Sequence, residues 1–110
     1  MISYSNRYYG VTLECDRSTG CANLMATAKP NFAEFSKDLE VKTTTVSFGS
    51  DHVPFQQAGI PCFLAIQLDD TDYPHYHRNT DTVAYANYGQ ALDIIKGLTG
   101  TLADEADLMD

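Results

Sequence analysis

Basic residues are scarce in this 110-residue chain: seven Lys and Arg stand against fifteen Asp and Glu, a formal charge of -8. That balance has the wrong sign for holding a phosphate backbone or an anionic bilayer, which excludes nucleic acid and a membrane surface as expected partners. No stretch approaches the roughly eighteen consecutive apolar residues of a transmembrane helix. The opening Met1–Arg7 has neither a basic cluster nor an apolar run behind it, so the chain reads as soluble and without an export signal of its own. Compartment stays open. Cysteine is also sparse: Cys15, Cys21 and Cys62 form no C-x-x-C pair, which excludes a disulfide framework. Cys15 and Cys21 could still join in an oxidising compartment, a pairing the sequence leaves undecided, while Cys62 lies in an apolar run and reads as a small buried hydrophobe. Repeats, low-complexity tracts and Pro/Gly/Ser linkers are missing, so residues 1–110 read as a single unit ending in an acidic tail, Asp104–Asp110.

What is present is ordinary globular material, 44% hydrophobic, enough at this length to bury a core without staples. Tyr8–Cys15 is rich in β-branched and aromatic residues and ends at the turn formers Asp16–Gly20, which predicts a strand and a turn. Pro30-Asn31 precedes Phe32, Phe35 and Leu39, spaced as the stripe of a short amphipathic helix. Val41–Phe48, with its run of threonines, predicts a second strand. Ser50-Asp51 reads as the cap of a helix of about two turns that carries Pro54 in its first turn and leaves through Gly59. Ile60–Ile66 is a continuous apolar run of the kind found in strands covered on both faces. Asn87 and Gln90 form a capping box ahead of Tyr88, Ala91, Leu92, Ile95, Leu98 and Leu102, the apolar stripe of a long final helix. Alternating strands and helices imply an α/β layered fold, a mainly parallel or mixed sheet flanked by helices.

Between the last strand and the last helix lies a stretch, Gln67–Ala86, with no periodicity. It carries four aspartates, three tyrosines and two of the three histidines, and a loop of such length at the carboxyl end of a strand is where an open α/β sheet places a ligand. Neutral imidazole is the commonest metal ligand, yet His75 and His77 share a direction only on extended backbone, and as a bare pair they are a weak metal signal that reads better as solvated loop residues. Asp81 and Thr82 read locally as turn or cap residues, and Tyr73, Tyr76 and Tyr85 as cover for the core. Ser50, Asp51 and His52 are no compressed hydrolytic triad, because adjacent side chains diverge and triads assemble in space. Asp51 or His52 could instead steady a metal site through its ligands. Phosphate-cradling glycine loops, G-x-S-x-G elbows and H-E-x-x-H are all missing.

Three segments occur in order: Gly49-Ser50-Asp51-His52-Val53-Pro54-Phe55, then Ala58-Gly59-Ile60-Pro61, then Tyr76-His77 followed by Thr80-Asp81-Thr82. Together they resemble the carboxyl-terminal part of the zinc-dependent aminopeptidases of the bacterial leucyl aminopeptidase type. The resemblance implies a partial three-layer sandwich corresponding to the last third of that fold, a peptide substrate, and zinc as cofactor with His77 as a metal ligand. It also implies supporting places for Ser50, Asp51 and Asp81 and substrate-proximal places for His75 and Tyr76. The family's other ligands, an imidazole, two aspartates and a glutamate, and its general-base glutamate belong to upstream segments; Met1-Ile2-Ser3-Tyr4 matches the stretch just after one such aspartate.

Catalytic zinc needs three protein ligands and an open position for water, so one imidazole does not suffice, and the chain by itself is expected to be inactive with weak or no metal affinity. Val46-Ser47-Phe48-Gly49 lacks the tyrosine that some family members place before the S-D-H segment to stabilise an oxyanion. Two other readings stand beside this one. A sheet with an exposed edge favours a non-enzymatic module that self-associates or binds a partner. Glutaminyl cyclases share the fold and an Asp-His-x-Pro-Phe segment but draw their remaining zinc ligands from upstream as well.

Overall fold

In the computed structural model, which describes residues 2–46, 49–68 and 73–107, the centre of the sheet is β1 (Gly10–Cys15). Strand alternation sends Val11, Leu13 and Cys15 to one face, where all three are buried, and Thr12 and Glu14 to the other. α1 (Thr19–Phe35) follows and returns the chain to β2 (Glu40–Thr44), which pairs parallel with β1 in the register Val11 to Val41. A parallel pair requires such a crossover. α2 (Val53–Gln57) leads to β3 (Phe63–Gln67), antiparallel to β1 with Leu13 opposite Ala65. The order β2-β1-β3 makes a three-stranded mixed sheet. A 3-10 turn (Val83–Tyr85) interrupts the long loop, and α3 (Tyr88–Glu105) closes the fold against α1. The architecture is the expected α/β class, compatible with part of a sandwich.

Several elements differ from their predicted form. The turn formers Asp16–Gly20 start a helix: Ser18 Oγ accepts from the Cys21 amide at 3.2 Å, and Asp16 Oδ1 accepts from the Ser18 amide at 2.9 Å. Those Ser18 hydrogen bonds hold the Asp16 carboxyl below its ordinary pKa. α1 therefore begins before Pro30 and contains it. Its core stripe is Cys21, Met25, Ala28 and Phe32, while Leu39 is buried from the loop beyond the helix end. Pro30 is tolerated because it and Ala26, whose carbonyl it leaves without an amide partner, both lie on the exposed side, where water reaches them. β2 stops at Thr44; Ser47 and Phe48 of the predicted strand lie outside the described residues.

Ser50 does not cap α2 through its side chain. His52 occupies the cap position without a side-chain cap bond, and Ser50 contributes its carbonyl to the Val53 amide at 3.1 Å. Gly59 leaves the turn at φ 75, as its placement predicts. β3 is an edge strand among the described residues, and its apolar run is not covered on both faces as expected: Phe63, Leu64 and Ala65 remain partly exposed.

Asn87 caps α3, its Oδ1 accepting from the Gln90 amide at 3.0 Å. The face of α3 that enters the core, however, is Gln90, Ile94, Gly97, Gly100 and Thr101, and most of the predicted apolar stripe is exposed. The small residues decide this. A Cβ on Gly97 would stand 2.5 Å from the Phe32 ring, so only glycine lets α1 approach so closely. Cys15 and Cys21 are joined by a disulfide, with Cα atoms 6.0 Å apart, which ties the end of β1 to the first turn of α1. Asp104 and Glu105 of the acidic tail form the last turn of α3, and residues 108–110 lie outside the described residues. No helix among the described residues is long and apolar enough to cross a membrane.

Candidate functional site

The loop after β3 folds back over the end of the sheet, and its aromatic rings set its shape. Tyr4 and Tyr73 lie with centroids 4.6 Å apart, His75 meets Tyr73 edge-on at 5.6 Å, and His75 stacks on Tyr85 at 3.9 Å and 21°. His75 is further fixed by Nδ1, 2.8 Å from Thr80 Oγ1. The Tyr73 hydroxyl donates to Asp81 Oδ1, and that bond, ahead of desolvation, pushes the phenol up to about 12. Tyr4, Tyr73, Asp81 and Tyr85 wall a cavity of about 310 Å³ with Gln67 and Thr82, and His75 and Thr80 stand behind that wall rather than in it. Its remaining wall is the amino-terminal segment. Gln67 Oε1 accepts from the Ser3 and Tyr4 amides at 3.2 and 3.0 Å, and the Asn87 amide donates to the Ser3 carbonyl.

His77 stands apart from that row. It adopts a left-handed conformation, φ 55, in the turn after Pro74, its side chain is exposed, and its ring lies 4.0 Å from that of Tyr76, itself exposed. A non-glycine residue with positive φ is uncommon and costs backbone strain, which marks positions held by context. The turn carries bonds from the Tyr76 amide to the Tyr73 carbonyl at 3.3 Å and from the Arg78 amide to the His75 carbonyl at 3.0 Å. Among the described residues no side chain hydrogen-bonds the His77 ring, which faces outward rather than into the aliphatic layer.

Ser50 and Asp51 are exposed in the turn before α2, and among the described residues neither side chain reaches His77, His75 or Asp81. Their neighbour His52 is buried instead. Its Nε2 is 2.9 Å from Glu14 Oε1, and the two residues are 6% and 2% exposed. Glu14 lies on the face of β1 turned away from α1, so this pair anchors the α2 turn to the second face of the sheet. The only sequence signal for it was one carboxylate inside an otherwise apolar and threonine-rich strand. Cys62 joins the same corner, its Sγ donating to the His52 carbonyl at 3.4 Å, and burial pushes the thiol pKa up.

Whether these residues fit a zinc ion turns on donor number. Among the described residues no three His, Cys, Asp or Glu side chains converge to hold a metal. Asp69, Asp70 and Asp72 of the loop, and Met1, lie outside the described residues. The donor set among the described residues is therefore one outward imidazole with an aromatic, carboxylate-bearing cavity beside its loop, and it does not by itself make a catalytic zinc site. A family model described as Peptidase family M28 matches residues 1–100. Comparison with curated proteins and with solved structures finds no match.

Proposed function

The chain belongs to peptidase family M28, and from that premise we propose that its 110 residues are the carboxyl-terminal part of a zinc-dependent aminopeptidase domain of the bacterial leucyl aminopeptidase type. In this reading the chain supplies one metal ligand, His77, together with the loop that borders the substrate, and it does not hydrolyse peptides unaided. The observation that carries the reading is the way His77 is offered. Its ring is exposed on a strained turn and engaged by no described side chain but Tyr76, a ring held out for ligands that other polypeptide brings. The strand β3 supports the same reading, since a run such as Ile60–Ile66 suits a strand covered on both faces, and Phe63, Leu64 and Ala65 are left partly exposed here. Zinc bound by the complete ligand set would polarise the scissile carbonyl and activate water. Here Asp81 and Tyr73 shape the cavity wall, and Ser50 and Asp51 stand on the turn that the Glu14–His52 pair locates.

The test has two arms. The purified chain is expected to release no amino-terminal residues from peptides with or without zinc, and calorimetric titration is expected to show only weak zinc binding that His77→Ala removes. Co-expression with the amino-terminal portion of a family peptidase domain is expected to yield zinc-dependent, chelator-sensitive aminopeptidase activity that His77→Ala abolishes. Zinc-dependent hydrolysis by the chain alone, or a complemented enzyme indifferent to His77, would overturn the proposal.

A further inference from the structure

A buried corner of the fold joins the two faces of the sheet. Cys15, the last residue of β1, and Cys21, in the first turn of α1, are 5% and 1% exposed, and their disulfide closes the passage from strand to helix on the α1 face. The same helix turn rests on the segment that enters β3. A Cβ on Gly20 would stand 2.6 Å from Pro61 Cγ, and Cys21 Sγ lies 3.1 Å from the Cys62 carbonyl oxygen. The disulfide therefore fixes the turn against which Pro61 and Cys62 are set.

From Cys62 the contacts pass to the second face. Directly opposed residues of an antiparallel pair share a face, so Cys15 and Phe63 point toward α1 while Cys62, one residue earlier, points away. The Cys62 thiol donates to the His52 carbonyl at 3.4 Å, and His52 Nε2 meets Glu14 Oε1 at 2.9 Å. Glu14 precedes Cys15 in β1, so the contacts form a ring that runs Cys15, Cys21, Cys62, His52, Glu14. Its one covalent side-chain link is the disulfide. The turn that carries Ser50 and Asp51 is held on this ring at His52.

We propose that the Cys15–Cys21 disulfide is a redox-sensitive clasp on the Ser50-Asp51-His52 turn. Oxidised, it holds that turn in place from the opposite face of the sheet; reduced, it lets the turn and Cys62 move while the rest of the fold stands. The step is a two-electron thiol–disulfide exchange. A dithiol reductant breaks the sulfur–sulfur bond, supplies two electrons and two protons to give two thiols, and leaves as its own disulfide. Because both sulfurs are buried, the reductant reaches the bond only as this corner opens. Cys62 does not compete as a partner, since it faces the other side of the sheet and burial, ahead of the Asp16 charge, raises its thiol pKa and keeps it a poor nucleophile. Beyond the corner, α1 stays anchored by Met25, Ala28 and Phe32, which the exchange leaves in the core.

Labelling of the half-buried Cys62 thiol with iodoacetamide, followed by mass spectrometry of its peptide, reads the clasp. At fixed pH, the chain reduced with dithiothreitol and then desalted is expected to label at Cys62 roughly 10-fold faster than the oxidised chain, with an unchanged far-ultraviolet circular dichroism spectrum. Cys15→Ala combined with Cys21→Ala is expected to label as fast as the reduced chain and to ignore reductant. Leu39→Ala, a core truncation away from the corner, is expected to leave Cys62 slow, which separates a local clasp from a general loss of stability. An unchanged Cys62 rate on reduction, or an equal acceleration in Leu39→Ala, overturns the proposal. So does loss of the helical spectrum on reduction, which would make the disulfide a support of the whole fold. None of these outcomes bears on the peptidase reading, whose tests are zinc dependence and complementation.

Discussion

The Glu14–His52 contact concentrates the largest single-residue consequences in the fold. Both side chains are buried, so removing either takes a close hydrogen-bond partner from the other where water does not replace it, and His52→Ala or Glu14→Ala is expected to cost about 3–5 kcal/mol in urea unfolding. Replacing both at once, as Glu14→Leu with His52→Phe, is expected to recover most of that loss, because the desolvation penalty goes with the pair. Tyr9 and Asp93 give a second, pH-readable contact. The Tyr9 hydroxyl donates to Asp93 Oδ2 at 2.7 Å; burial, reinforced by that bond, raises the phenol to about 12, and the same bond lowers the Asp93 carboxyl. For Tyr9 the folded pKa lies above the unfolded value of about 10, so its contribution is whole below pH 10 and lost as pH rises toward 12. For Asp93 the sign reverses: its contribution is present above the unfolded carboxylate pKa and lost as pH falls through the lower folded value. Denaturant unfolding across pH is expected to show the alkaline decline, and Tyr9→Phe is expected to reduce it. The Tyr76 to Thr82 segment singles out His77 only through the family resemblance, which proposes its role. Nothing in the sequence singles out the Glu14 contact, because its partner lies 38 residues away and no local pattern joins them.

At the scale of elements, the sequence announced helices where a side chain caps the first turn next to an apolar period. Asn87 with Gln90 did so plainly. Ser18 did so too, but its cap shares the residues that end β1, and a turn and a helix start look alike until the Cys21, Met25, Ala28, Phe32 stripe is followed through Pro30. That proline lacks the amide that α1 would use there and sits away from the core. Pro30→Ala is therefore expected to raise stability by roughly 1 kcal/mol or more, read as an increase of about 4–8 °C per kcal/mol in thermal unfolding. The inverted reading of α3 has a different cause. Periodicity identifies an apolar face, but glycines, not the larger side chains, decide which face packs, since Gly97 and Gly100 admit Phe32 and Phe35 where a leucine would hold the helices apart.

For the whole molecule, the family match and the layered fold agree, and the uncovered apolar features share one side among the described residues: the edge strand β3, the exposed Leu102 of α3 and the groove between them. The strand's apolar run was legible and its edge position was not, because sequence reports how covered a strand wants to be and not which polypeptide covers it. The proposed completion of a peptidase domain draws on this side.

The backbone of Ser3 and Tyr4 is clamped by Gln67 and Asn87 at the rim of the aromatic cavity. Whatever is fused ahead of Ile2 is thereby tethered at that rim, at high effective concentration beside the cavity. An affinity tag belongs on the opposite terminus, and a fluorophore attached ahead of Ile2 becomes a proximity reporter for anything that enters.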